Sequence, residues 1–124
     1  MDRDEFCAAN RHNWDERVAI HRRDATGFYA IERCLAGKKP LHAIDSGELG
    51  EIAGRRLIHL QCHFGLDTLI LARQGAVVTG LDFSPAALRE ALRGRVTNHH
   101  RFLLQLHVQH IDALDAALNA IDLY

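Results

Sequence analysis

The sequence predicts an α/β fold in which parallel strands alternate with helices. Two short apolar runs, at residues 57–61 and 77–81, have the length of buried strands. A helical pattern follows each run: the first begins at Leu66 and stops at Gly75. The second begins at residues 84–85, where a serine can cap the helix and a proline suits its first position. This order of elements indicates a three-layer unit with right-handed crossovers between parallel strands.

The first 50 residues are helical and polar, and we predict that they form an N-terminal helical cap. A first helix is predicted around Trp14. A second helix is predicted to begin at a Thr26 cap and to end at Gly37. Residues 45–47 form either a turn or the cap of a short helix that continues through Ile52.

Further along the chain the pattern weakens. Residues 102–108 contain a third predicted strand, residues 113–119 a short helix, and residues 121–124 the start of a fourth strand. The prediction is therefore an incomplete sheet of about four strands. We divide the chain into the cap, residues 1–50, and the α/β unit, residues 51–124.

The composition argues against several classes of protein. A chain of 124 residues forms one domain or part of one, and its net charge of -1 gives no electrostatic case for binding nucleic acid. No apolar run approaches the roughly 20 residues of a membrane span, and the charged N-terminus lacks the apolar segment of a secretory signal. The scattered cysteines Cys7, Cys34 and Cys62 indicate free thiols. We therefore expect a cytoplasmic protein that binds neither nucleic acid nor membranes.

Nine histidines are present, and four of them cluster in the last quarter of the chain. Of these, His107 and His110 are three residues apart, which would allow weak chelation on a helix but not on a strand. Metal sites usually show a more defined ligand spacing. We therefore predict no functional metal and keep a histidine-rich metal-binding module as an alternative function.

The turn between the first strand and the next helix has the position of a cofactor site. Such turns are glycine-rich because glycine permits positive φ angles and lets a ligand approach the backbone. Here only Gly65 remains of a three-glycine pattern, and Gln61 and His63 occupy the other two places. Asp67, in the first turn of the helix, would repel a pyrophosphate but not a cofactor that carries an ammonium or sulfonium group. A purely helix-capping role for Asp67 remains an equal alternative.

Asp82 directly follows the second apolar run. A carboxylate at the end of this strand can accept hydrogen bonds from both hydroxyls of a ribose. The alternative is a loop aspartate that caps the next helix, a task for which Ser84 is better suited. The sequence of strand, turn, helix, strand and acid thus predicts a Rossmann-like site for a nucleotide-type cofactor.

Three segments of the chain together resemble class I S-adenosylmethionine-dependent methyltransferases. They are Leu-Gln-Cys-His-Phe-Gly-Leu-Asp-Thr-Leu at 60–69, Ala-Arg-Gln-Gly-Ala at 72–76 and Val-Thr-Gly-Leu-Asp-Phe-Ser-Pro at 78–85. The first segment looks most like the branch in which a Leu-Gln-Cys-His-x-Gly-x-Asp-Thr run replaces the glycine motif. The resemblance implies S-adenosyl-L-methionine as the cofactor and methyl transfer to O, N, S or C of a small-molecule acceptor.

The same resemblance implies nine cofactor-binding residues and no identifiable catalytic residue. The turn residues Gln61, Cys62, His63 and Gly65 would wrap the methionine end of the cofactor. Asp82 would hold the ribose, Phe83 would flank the adenine, and Asp112 would meet the adenine amino group. The N-terminal aromatic residues Trp14 and Tyr29 would form a lid. Helix packing explains the two N-terminal aromatic residues equally well.

The resemblance covers only the first half of the family members, whose later strands supply much of the substrate pocket. We therefore expect residues 1–124 alone to be inactive or nearly so as an enzyme. A second hypothesis is a non-catalytic remnant that binds the cofactor or a partner chain. An incomplete sheet would also leave an exposed strand edge through which copies of the chain could associate.

Overall fold

A computed structural model of the chain describes residues 2–93 and the backbone of residues 104–106. Helices and strands alternate from the middle of the chain onward, as predicted. In chain order the elements are α1 (Arg3–Arg23), α2 (Ile31–Leu35), α3 (Ala43–Leu49), β1 (Arg56–Leu60), α4 (Leu66–Arg73), β2 (Val77–Leu81), α5 (Pro85–Leu92) and β3 (Leu104–Leu106). The predicted helix at 113–119 and the fourth strand at 121–124 lie outside the described residues.

The three strands form a parallel sheet in the order β1-β2-β3. In this register Leu57 lies beside Val78, and Val78 beside Leu104. Both crossovers step in the same direction, and the right-handed connections that are the rule for parallel strands would place α4 and α5 on the same face of the sheet. The arrangement is compatible with one half of a Rossmann-like sheet.

The sheet and the N-terminal segment share one hydrophobic core. Leu69 and Ile70 of α4 pack with Val78 of β2, and Ile31 and Leu41 from the first 50 residues join the same cluster. The predicted cap is thus continuous with the core of the α/β unit.

The opposite face of the sheet is open in the described part of the chain. Ile58 is 71% exposed and Leu60 is 63% exposed, although apolar side chains in parallel strands are usually buried on both faces. The described residues therefore form two layers, and the predicted third layer is not among them.

The predicted start of the second helix is wrong. α2 begins only at Ile31, and the Thr26 hydroxyl accepts a hydrogen bond within a turn instead of capping a helix. Asp24 determines this loop, because its two carboxylate oxygens accept the backbone N–H groups of Tyr29 at 2.9 Å and Ile31 at 3.1 Å. The end of α2 is as predicted, since Gly37 follows it in the left-handed region at φ 71°.

The short helix predicted after residues 45–47 is present, since α3 continues through Leu49, but residues 45–47 lie inside it and form neither a turn nor its cap. Nδ1 of His42 accepts the backbone N–H of Ile44 at 3.3 Å and thereby starts the helix before them. The helix ends at Gly50, so Ile52 is buried in the core outside any helix.

α1 is attached to α5 by polar contacts at both ends of α5. Ser84 caps α5 as predicted, since its hydroxyl oxygen accepts the N–H of Ala87 at 3.1 Å, and the same hydroxyl donates to Asp15 of α1 at 2.5 Å. Near the C-terminus of α5, the buried carboxylate of Glu90 lies 3.2 Å from the guanidinium of Arg22. No helix among the described residues is long and apolar enough to cross a membrane.

Candidate cofactor site

The turn after β1 has the backbone of a glycine-rich loop, with two of the three glycines replaced. Gln61, His63 and Gly65 have φ angles of 54°, 51° and 78°, so all three lie in the left-handed region. A residue with a side chain costs about 1–2 kcal/mol in this region. Two residues of the turn are therefore strained, and their surroundings must hold them in place.

Asp82 holds the strained turn against the end of β2. One oxygen of its carboxylate accepts the backbone N–H of His63 at 2.7 Å, and the other accepts the backbone N–H of Ser84 at 2.8 Å. The backbone N–H of Cys62 also donates to the carbonyl of Leu81, the last residue of β2, at 3.1 Å. Asp82 is only 7% exposed, and a carboxylate has about four acceptor positions. Two of these positions are therefore free for a ligand.

Gly65 is required by packing as well as by its backbone. It forms the N-cap of α4, and a Cβ atom added to it would lie 3.3 Å from Cβ of Ala91 in α5. A side chain here would push the two helices apart. The glycine that remains in the turn thus lies where the chain approaches α5 closely.

An aromatic cluster joins the N-terminal segment to the turn. Nε2 of His63 lies 3.0 Å from Nδ1 of His21, and the hydroxyl of Tyr29 lies 2.9 Å from the same nitrogen. The Trp14 ring meets the His63 ring edge-on, with 5.8 Å between centroids. The tautomers of the two histidines decide which nitrogen donates. Trp14 and Tyr29 therefore pack against the turn, which fits a lid and helix packing alike.

Burial keeps two side chains of the turn uncharged. Desolvation, with a smaller contribution from His21, lowers the pKa of His63 to about 4. Desolvation, with a smaller contribution from Asp82, raises the pKa of Cys62 to about 12. The imidazole is thus neutral and the thiol protonated at pH 7, so Cys62 is unsuited to act as a nucleophile.

A cavity of about 330 Å³ lies between α1, the turn and the end of β2. Six of the nine predicted residues line it, together with one that the sequence did not single out. The six are Trp14, Tyr29, Gln61, His63, Asp82 and Phe83, and the seventh is Asn10. Asn10 precedes Trp14 by one helical turn, a spacing that could have identified it.

The other three predicted residues lie elsewhere. Cys62 and Gly65 line a neighbouring cavity of about 120 Å³, and Asp112 lies outside the described residues. A cavity of about 470 Å³, between α3, β1 and α4, contains none of the nine. Size alone does not indicate the site.

Within residues 2–93, no group of three or more His, Cys, Asp or Glu side chains is arranged to hold a metal ion. The pair on which the metal alternative rested, His107 and His110, lies outside the described residues.

No protein-family model matches the sequence. The chain is similar to the ubiquinone biosynthesis O-methyltransferase of Salmonella arizonae, with 35% identity over 92 residues that cover 68% of the chain and 37% of the relative. The corresponding protein of Alkalilimnicola ehrlichii is 43% identical over 60 residues, which cover 43% of the chain and 24% of the relative. An uncharacterised RNA methyltransferase of Protochlamydia amoebophila is 35% identical over 49 residues, or 40% of the chain and 11% of the relative.

The matched part of the chain thus spans less than two fifths of the length of each of these relatives. All three are named methyltransferases, and the similarity supports methyl transfer as the general chemistry.

Proposed function

We propose that the chain is the cofactor-binding part of a class I S-adenosylmethionine-dependent methyltransferase. The observation that carries the proposal is the left-handed turn at residues 61–65, which is hydrogen-bonded to the carboxylate of Asp82 and borders the cavity of about 330 Å³. The two remaining acceptor positions of this buried carboxylate suit the two hydroxyls of a ribose. The relatives named methyltransferases support the same reading.

The charge around the cavity favours a cofactor without phosphate. Of the seven residues that line the cavity, Asp82 is the one acidic residue, and none is a lysine or an arginine. A pyrophosphate would meet the carboxylate of Asp82 with no cation in the lining itself, since the nearby Arg17 lies over the ring of Trp14, whereas a sulfonium ion would be attracted. Trp14, Tyr29 and Phe83 offer aromatic faces to an adenine or to a cation.

When bound, S-adenosylmethionine supplies an electrophilic methyl group on a positively charged sulfur. Asp82 would hold the ribose, Phe83 would flank the adenine, and Trp14 and Tyr29 would exclude water from the cavity. Catalysis then consists mainly of positioning an acceptor in line with the methyl group. Two relatives are named O-methyltransferases, which favours the hydroxyl of a small molecule as the acceptor, and a cytoplasmic location is part of the proposal.

Calorimetry with S-adenosylhomocysteine, the demethylated form of the cofactor, tests the proposal. We expect binding by the purified chain and at least about tenfold weaker binding by Asp82→Asn, because an amide replaces one acceptor oxygen with a donor. Asp82 also holds the turn, so thermal unfolding of each variant must show that it is folded. Glu32→Gln, which removes an exposed charge on α2, is the control and should bind normally. Absence of binding by the unmodified chain, or normal binding by folded Asp82→Asn, would contradict the proposal.

A further inference from the structure

A cavity of about 310 Å³ lies between the loop after α2 and the last turn of α4. Of its seven lining residues, three are cations, namely Lys38, Lys39 and Arg73, and none is an aspartate or a glutamate. The cavity shares no residue with the one of about 330 Å³ beside Asp82, although Lys39 also lines the cavity of about 120 Å³. It is therefore separate from the proposed ribose and adenine contacts, and its charge suits an anion.

The turn at the end of α2 brings the two lysines to this cavity. The backbone N–H of Gly37 donates to the carbonyl of Cys34 at 3.0 Å, and that of Lys38 donates to the carbonyl of Arg33 at 2.8 Å. With Gly37 in the left-handed region, these two hydrogen bonds form a Schellman motif, which ends the helix. Lys38 and Lys39 therefore follow the helix directly, and the motif fixes the path of the chain that leads into them.

Two of the three cations are held in place by backbone carbonyls. The guanidinium of Arg73 donates to the carbonyl of Cys34 and, at 2.9 Å, to that of Leu35, which are the last two residues of α2. The ammonium group of Lys39 donates to the carbonyl of Tyr29 at 2.8 Å. Both cations have further N–H donors available for a ligand. Because they are already fixed, they lose less conformational entropy when a ligand binds.

The described carboxylates do not neutralise the positive charge at the cavity. None of the ion pairs within residues 2–93 includes Lys38, Lys39 or Arg73. The carbonyls that the cations bind carry only partial charges, and those at the C-terminus of a helix together amount to about half an elementary charge. The full positive charges therefore leave an excess, which raises the local concentration of anions.

We propose that Lys38, Lys39 and Arg73 bind the phosphate group of a small-molecule ligand. A phosphate group carries a charge of about −1.5 to −2 at pH 7 and has three strong acceptor oxygens, so it can accept hydrogen bonds from all of these cations at once. A carboxylate has a single charge and fewer acceptor oxygens, and it would match the cations less well. The alternative role is purely structural: the cations would only neutralise the carbonyl groups at the end of α2, and anions would not bind.

Isothermal calorimetry at constant ionic strength tests the proposal with two probes, inorganic phosphate and ribose 5-phosphate. We expect both to bind the unmodified chain. Arg73→Met should weaken binding about tenfold, because it removes charge-assisted hydrogen bonds. Lys38→Met should weaken it about threefold, because this lysine is exposed. The matched control is Arg89→Met, which removes an exposed arginine of α5 outside the cavity and should leave binding unchanged.

The two variants differ in their effect on the fold. Arg73→Met also removes the contacts with the end of α2, so thermal unfolding must show that this variant is folded. Within residues 2–93, Lys38 makes its hydrogen bonds through the backbone. Lys38→Met therefore tests the charge without that complication.

The outcomes also identify the source of the phosphate group. Tighter binding of ribose 5-phosphate than of inorganic phosphate would indicate a phosphate ester as the ligand, and equal or weaker binding would indicate free phosphate. The site is wrong if neither probe binds, if the folded variants keep the affinity of the unmodified chain, or if Arg89→Met weakens binding as much as Lys38→Met does. None of these results affects the proposed function, which is measured with S-adenosylhomocysteine.

Discussion

Replacing Gln61 by glycine should stabilise the protein, although glycine usually destabilises a fold. Gln61 has a φ angle of 54° and an exposed side chain. Its left-handed backbone costs about 1–2 kcal/mol, and glycine would remove that cost. Against this, the greater freedom of glycine in the unfolded chain costs about 0.5–1 kcal/mol. The difference favours Gln61→Gly by about 0–1.5 kcal/mol, with a central value of about 0.75 kcal/mol.

Thermal unfolding without ligand measures this difference. For a domain of this size the expected gain raises Tm by about 2–4 °C. Gln74→Gly is the matched control, because Gln74 is also exposed but has a φ angle of -78°. No strain is relieved there, so we expect Gln74→Gly to lower the free energy of unfolding by about 0.5–1 kcal/mol.

His63 provides a second comparison within the same turn. His63→Gly relieves a similar strain at φ 51° but removes the ring that contacts His21 and Trp14. We therefore expect a net loss of stability at this position. If Gln61→Gly lowers Tm as much as Gln74→Gly does, the left-handed turn and the reasoning from it are wrong.

Three further predictions concern the surroundings of the turn. Asp15→Ala removes two hydrogen bonds that Asp15 accepts at the start of α5, and it should lower the free energy of unfolding by about 2 kcal/mol. The control Glu16→Ala, which breaks an exposed ion pair, should change this free energy by less than about 0.5 kcal/mol. Equal effects of the two substitutions in urea unfolding would contradict the contact between Asp15 and α5. Because burial lowers the pKa of His63 to about 4, the unfolded chain binds more protons between pH 6.5 and 4, so stability from this residue is complete above about pH 6.5 and is lost as the pH falls toward 4. The partly exposed ring limits this loss to about 1–2 kcal/mol, and His63→Gln should remove it; an unchanged pH profile would count against the buried neutral imidazole. Burial also raises the pKa of Cys62 to about 12, so its thiol should react with a disulfide reagent at pH 8 only on unfolding, and rapid labelling of the native protein would refute this.

Elements with strong local signals could be predicted from the sequence. The apolar run predicts the second strand at residues 77–81, as observed, and a capping serine followed by a proline predicts the start of α5. The α4 prediction differs from the structure by one residue at its end. These features depend on side-chain periodicity and capping within a few residues, which a sequence displays directly.

The errors and omissions concern groups that act over longer distances. Asp24 bonds backbone groups five and seven residues later, and this displaces the predicted start of α2 from Thr26. The contact between Asp15 and Ser84 links positions that are 69 residues apart. Neither contact produces a recognisable pattern among neighbouring residues in the sequence.

The two residues that replace glycine in the turn are not equivalent, and their difference suggests why the strain is retained. Gln61 is exposed, and glycine would serve its backbone better. The ring of His63 contacts His21 of α1, so glycine there would remove this contact, while its backbone N–H would still reach Asp82 and Asp15 would still hold α1 to α5. The same side chain borders both cavities at the turn. The strained backbone of residue 63 is thus retained together with a ring that lies between α1 and the site, a contact that glycine would not provide.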